Sequence, residues 1–185
     1  MAAGDLTTVT NVKQWIGITA ATDDALLTRL VSAVSTTIQT WLNRALSATA
    51  YTDVFDGTGG QRLLLTNYPL ISVSSVSVDG RVIPAAADAA ASGYAFDIYG
   101  VTLRGSYAFT AGRLNVSVAY TAGYAVLPVE IEQAAIELCS LRYSERRRPG
   151  VATQSIGGEN VSYRDTDMTG SIKSLLSQYK KVTPV

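Results

Sequence analysis

The chain has 185 residues, enough for one ordinary domain or for a domain carrying a large insertion. Its 47% hydrophobic and 16% charged residues describe a globular protein that can build a core without disulfide staples. Fifteen basic and fifteen acidic residues cancel, which excludes a global field attracting nucleic acid or an anionic membrane and leaves only local clusters.

The single cysteine, Cys139, excludes an internal disulfide and suits a reducing compartment. It lies in an apolar helical pattern and reads as a small buried hydrophobe. The opening MAAGDLTTVT lacks the basic region and apolar run of a signal peptide, and no run of about 18 apolar residues could span a bilayer. The triplets Asn115-Val116-Ser117 and Asn160-Val161-Ser162 are therefore read as chance matches to a glycosylation signal, and the protein as one made in the cytoplasm.

In chain order, Thr10 is a candidate cap for a short first helix with Val12, Trp15 and Ile16 at one-turn spacing and Gly17 as its stop. Thr22-Asp23-Asp24 starts a second helix, its carboxylates complementing the positive end of the dipole. Leu26, Leu27, Leu30, Val31, Val34, Ile38, Trp41 and Leu42 keep a helical period for nearly five turns and form a core-facing stripe.

From Tyr51 to Tyr124 β-branched and aromatic residues alternate with small polar ones. The strand candidates are Tyr51–Phe55, Arg62–Leu65, Val73–Val78, Tyr94–Ile98, Val101–Leu103 and Leu114–Tyr120. Asp56-Gly57, Asp79-Gly80 and Gly112 mark turns. The alternation in Ile71–Ser74 and Val76–Val78 predicts one buried and one wet face. Pro84–Ala91 is low in complexity and reads as a loop or a short helical excursion.

Pro128 opens a third helix, with Glu130 and Glu132 at its start and Arg142, Arg146, Arg147 and Arg148 toward its end, both sets suiting the dipole. Ile131, Ala134, Ala135, Leu138 and Leu141 form its apolar side, and Pro149-Gly150 ends it. The Gly- and Ser-rich residues 151–170 read as a loop with a short hairpin near Gly157-Gly158. A last amphipathic helix carries Ile172, Leu175, Leu176 and Tyr179, followed by Lys180-Lys181. The expected fold is α+β: a helical domain of about four helices (1–47 and 125–185) interrupted by an antiparallel all-β insertion (48–124).

Catalytic chemistry finds few residues to work with. The sequence has no histidine, which removes the commonest general base, the Ser–His and Cys–His pairs, and most zinc and iron sites. Gly57-Thr58-Gly59-Gly60 lies between strands without a following Gly-Lys-Ser/Thr, so it reads as a hairpin turn rather than a phosphate cradle. Asp165-Thr166-Asp167 reads as solvated loop. No enzyme, metal or cofactor is expected.

Two features leave alternatives open. Arg146-Arg147-Arg148 is either a solvated helix end or a contact for phosphate or an acidic neighbour, strengthened if many copies form a ring. In the last helix, four apolar side chains contribute roughly 1.5–3 kcal/mol each when buried. Ordering about ten residues costs roughly 1–2 kcal/mol apiece. That helix is therefore marginal until it docks, either on its own domain or in a groove of a partner.

The pattern as a whole resembles the head–tail connector (adaptor) family of tailed phages, in its longer branch with a β domain between the helices. The pieces that carry the resemblance span nearly the whole chain. They are Val12–Ile18, the Asp24–Trp41 helix, Tyr68–Val76, Tyr120–Tyr124 leading into Pro128–Ile131, and Ile172–Val182. The resemblance implies a virion neck protein, made in the host cytoplasm, that forms a dodecameric ring beneath the portal. Such a ring extends the DNA channel, lets DNA pass without sequence-specific binding, and offers a platform for the stopper or tail. It also implies a portal contact through the C-terminal segment, here Ile172, Leu175, Leu176, Tyr179, Lys180 and Lys181. Gln178 stands where proline is common in the family, and lysines stand where arginines are, so a bidentate contact does not carry over. A virion β-module binding a carbohydrate or receptor is the alternative; a ring of exposed aromatics on the β block and glycan affinity would favour it, and the long helices argue against it.

Overall fold

The computed structural model of the chain describes residues 4–146, 153–156, 159–162 and 168–181. Thr8, rather than Thr10, opens helix α1 (Val9–Ile16). Its backbone is extended and its hydroxyl accepts from the Asn11 N–H at 3.1 Å, so the helix begins nearer the N-terminus than the apolar spacing suggested. Gly17, at φ 78°, ends it and donates to the Lys13 carbonyl at 2.9 Å.

Helix α2 (Asp24–Leu42) buries Leu27, Val31, Val34, Ile38 and Leu42, five members of the expected stripe. Asp23 precedes it, but its side chain makes no capping bond; its carbonyl accepts from the Leu27 N–H at 2.9 Å. Asp24 instead receives Lys13 Nζ at 2.7 Å, tying α1 to α2. Ser35, on the polar side of the stripe, is buried because its hydroxyl accepts from the Leu6 N–H at 2.9 Å.

Helix α3 (Val129–Glu145) follows Pro128, whose carbonyl accepts from the Ile131 N–H at 3.0 Å. It buries the expected Ile131, Ala134, Ala135, Leu138 and Cys139 and, beyond them, Ile136 and Tyr143, while Leu141 is half-buried. A single apolar stripe was too narrow a reading because α3 packs against α1, α2 and α4 (Gly170–Ser177). Burial pushes the Cys139 thiol from the usual 9.0 up to about 12, against the pull of the Arg142 charge. The folded chain thus holds this proton to higher pH than the unfolded chain does. Its contribution is full below pH 9 and is lost as pH rises toward 12. We expect Cys139 to resist thiol reagents in native buffer and to react at once in denaturant; fast native labelling would contradict this burial.

The chain divides at Arg44/Ala45 and Val126/Leu127 into two compact units. The first holds the four helices together with strands β8 (Thr153–Ile156) and β9 (Glu159–Ser162), which pair antiparallel on either side of residues 157–158.

The second unit is built of β1 (Thr49–Gly57), β2 (Arg62–Leu64), β3 (Leu70–Val78), β4 (Arg81–Ile83), β5 (Gly93–Phe96), β6 (Gly100–Arg104) and β7 (Gly112–Ala122). They form a four-stranded antiparallel sheet, β1-β7-β3-β4, and a three-stranded one, β2-β6-β5. Their buried side chains meet in one core that includes Val76, Val78, Val101, Leu103, Phe109, Val116 and Val118. The fold is thus α+β with antiparallel sheets.

Asp79-Gly80 is the expected hairpin turn: both residues have positive φ, 51° and 77°, and Val78 pairs with Arg81. The three-residue β4 beyond it was missed because so short a strand shows no alternation. Two irregularities in the β3–β7 register, at Leu70/Ser72 and Val73/Ser75, break the period-2 pattern and leave Ile71 40% exposed. Gly57–Gly60 is not a hairpin turn. β1 and β2 lie in different sheets, and Gly59 and Gly60 bond instead to Phe109, at 2.6 and 2.8 Å. Gly112 starts β7 opposite Gly57 rather than marking a turn. Gly123, at φ 120°, passes so close to the Ser47 carbonyl that a Cβ would collide with it.

Tyr120 anchors the core of this unit. Its hydroxyl donates to Asp53 Oδ2 at 2.6 Å and accepts from Asn67 Nδ2 at 3.2 Å, and its ring stacks on Tyr51 at 5.6 Å. Burial, reinforced by the Asp53 carboxylate, holds the phenol well above its usual range. Tyr120→Phe leaves both partners unsatisfied, and we expect a loss of about 1–2 kcal/mol in denaturant unfolding. An unchanged midpoint would show that water replaces the hydroxyl without penalty.

Candidate functional site

The C-terminal segment was expected to be a contact surface, and the structure divides its residues into two groups. Thr169 caps α4 by accepting from the Ile172 N–H at 3.5 Å. One turn apart, Ile172 and Leu176 are 3% and 0% exposed and seat the helix on α3, with Met168 buried just before it. The helix therefore docks on its own unit. Leu175, on the other side, remains 37% exposed.

Beyond the helix, the Tyr179 hydroxyl donates to Glu130 Oε2 at 3.2 Å and its carbonyl accepts from Arg44 Nη1 at 3.5 Å. Lys180 Nζ stands 5.2 Å from the centre of the Trp41 ring. The Lys181 N–H donates to the Leu42 carbonyl at 3.0 Å, at the free C-terminal end of α2. Leu175 and Lys180 are thus presented to solvent on a backbone fixed by Ile172, Leu176, Tyr179 and Lys181.

Of the arginine cluster, Arg147 and Arg148 lie outside the described residues, as does Asp165-Thr166-Asp167. Arg146 is engaged within the chain. Its guanidinium lies 3.6 Å from the Tyr143 ring centre and 3.0 Å from Asp23 Oδ2, and the same carboxylate oxygen accepts from the Tyr143 hydroxyl. This explains why Asp23 does not cap α2: its carboxylate is drawn off to the end of α3.

A third feature was not legible in the sequence. Trp15, spaced with Val12 and Ile16 on one helix face, is 55% exposed, and of the three only Val12 is buried. Its ring borders an open groove of about 360 Å³ between α1 and α3, with Asn11, Gln14, Val129, Glu132, Gln133 and Ile136. Glu132 Oε1 accepts from Asn11 Nδ2 at 2.7 Å and from the Thr7 hydroxyl at 3.3 Å, which clamps the groove's two walls together. One-turn spacing marks a shared helix face, and it does not show whether a neighbour is long enough to cover the far end of that face.

Among the described residues, no cluster of three or more His, Cys, Asp or Glu side chains could hold a metal ion. No described helix is long and apolar enough to cross a membrane. The arrangement offers contact surfaces, an exposed leucine and lysine on a fixed segment and an exposed tryptophan on a groove.

The curated proteins contain no match to the chain. Solved structures contain chains of similar fold. A chain from the virion of a native gene transfer agent particle superposes with a TM-score of 0.60 at 20% identity, covering 100% of this chain and 94% of that one. Chains from the neck of the empty particle, computed with C6 symmetry, and of the native particle, computed with C12 symmetry, each give 0.59. Their identities are 19% and 16%, and each match covers 96% of this chain and 90% of the other. The family model described as head completion protein matches residues 5–182, and on that match over nearly its whole length the chain belongs to the head completion protein family.

Proposed function

We propose that this chain is a non-enzymatic neck subunit of a tailed phage or phage-like particle. In this reading the helices of residues 1–47 and 125–185 form the connector domain, and residues 48–124 are a β insertion. The subunits form a ring beneath the portal, extend the DNA channel and receive the stopper or tail. The observation that carries the reading is the agreement between head completion family membership over residues 5–182 and a fold shared with chains of a particle neck. The balanced net charge suits a passage through which DNA slides without being held.

Contact with the portal falls to the accessible part of the C-terminal segment, Leu175, Lys180 and Lys181. Ile172, Leu176 and Tyr179 act indirectly, by holding that segment in place. Arg146 is committed to Asp23 and Tyr143, so its role is to fix the end of α3. The test is the mass in solution, by light scattering, of the chain alone and mixed with the portal of the same particle. A stable complex heavier than the portal is the expected result; no association at high protein concentration and low salt would overturn the portal reading.

Exposed Phe96, Ile98 and Tyr99 on the β unit, 44%, 53% and 50% accessible, favour a second reading in which that unit binds a carbohydrate or receptor. Glycan binding by the chain without portal association would select it.

A further inference from the structure

Among the described residues the four-stranded sheet ends on two edge strands, β1 and β4, and they are unlike each other. β1 is nine residues long and, among the described residues, its ladder partner is β7 alone; at about 3.4 Å per residue it presents an edge of about 30 Å. Unpaired edges are hazards that single-chain proteins blunt with lysine, proline or a covering element. β1 contains no lysine, arginine or proline. The opposite edge is the three-residue β4, whose ladder partner among the described residues is β3 alone; just beyond it Pro84 and Ala86 bond to Tyr94 of β5, each at 2.8 Å, so the open stretch is Arg81–Ile83.

One lane of side chains crosses the outward face from edge to edge: Val54, Ser117, Ser77 and Val82, paired in register. The lane is uncharged, and its two ends are valines, 51% and 68% exposed. The charges of the two edge strands are complementary. β1 carries Asp53 and Asp56 and no base, while β4 carries Arg81 and no acid.

We infer that the β1 edge is an interface between copies of this chain, and that its occupant is the β4 edge of the next copy. The inference rests on the ring reading above. A closed ring needs two different, complementary patches on each subunit. The strand count fits: in an antiparallel sheet of four, β4 runs opposite to β1, so a head-to-tail repeat sets β4 of one copy antiparallel to β1 of its neighbour and keeps the alternation. The junction covers Val54 with the neighbour's Val82 and brings Arg81 toward the acidic strand. The competing arrangement, β1 on β1, is disfavoured because full antiparallel overlap of residues 49–57 sets Asp53 against Asp53.

The test is cysteine cross-linking with a short bis-maleimide, on the chain concentrated alone and on the chain mixed with the portal. Cys139 is buried and stays silent. The double variants Val54→Cys/Val82→Cys and Thr52→Cys/Val82→Cys allow for a two-residue shift in register. One of them is expected to give a ladder of trimers and larger species, while each single variant stays monomeric on a denaturing gel. Cross-linked dimers from Val54→Cys or Thr52→Cys alone would show β1–β1 pairing and overturn the inference. No ladder from either double variant overturns it too. If the portal complex still forms in that case, the neck reading stands without this interface. A ladder without portal association keeps the interface and removes the proposed partner.

Discussion

Replacing Leu175 by Asp, Lys180 by Glu and Lys181 by Glu together is expected to weaken association with the portal at least about 100-fold, equivalent to about 2.7 kcal/mol, while the chain stays folded. The expectation comes from how the C-terminal segment is held. Its two fully buried side chains, Ile172 and Leu176, are untouched by these changes. The bond from Lys181 to Leu42 is made by its backbone N–H, which any residue other than proline retains. The folded state therefore gives up chiefly the Lys180–Trp41 interaction, worth about 0.5–1 kcal/mol at an exposed site. A docking surface made of a leucine and fixed cations fails on both counts when the leucine is made polar and the charges are reversed. Portal affinity unchanged in the triple variant would move the docking surface elsewhere, with the Trp15 groove next to be tested.

Leu176→Ala is expected to have the opposite profile. Leu176 is 0% exposed between α4 and the rest of the helical unit, and truncating a leucine in such a place costs about 2–5 kcal/mol. Helix α4 has only eight residues, so its stability comes from packing rather than propensity. Removing the Leu176 side chain should unseat the segment from residue 168 onward. Limited proteolysis should then cut near Ser177 much faster than in the native chain, and portal binding should fail as a consequence. Native-like resistance would mean that Tyr179 and Lys181 hold the segment without its apolar anchor. For the same reason, truncation at Thr169 is a poor separation of fold from binding. It removes a piece of core, where the triple variant changes only the surface.

Helix and strand content was legible wherever one periodicity ran long enough to be read. The α2 stripe from Leu27 to Leu42 and the β7 run to Tyr120 are examples, each having one face against a core. What escaped depended on partners distant in sequence. Trp15 obeys the helical period yet faces an uncovered groove, because coverage is decided by where α3 lies. Asp23 has the composition of a cap but is recruited by Tyr143 and Arg146, which are 120 and 123 residues away. Gly57–Gly60 looks like a hairpin turn locally, and only the pairing of β1 with β7 and of β2 with β6 shows that the chain changes sheets there.

The contact residues were partly legible for the same reason. Ile172, Leu175, Leu176 and Tyr179 were recognisable as one amphipathic segment. Amphipathicity alone does not say which apolar residue is used in the chain's own core. Leu175 and Leu176 are neighbours with opposite fates, 37% and 0% exposed. The connector resemblance read from the sequence and the head completion family agree on the class of protein.

A structural role in the neck can be read from electron microscopy of particles assembled in cells that lack this chain. Heads without attached tails are expected, restored to complete particles when the chain is supplied from a plasmid. Complete, tailed particles in its absence would contradict it.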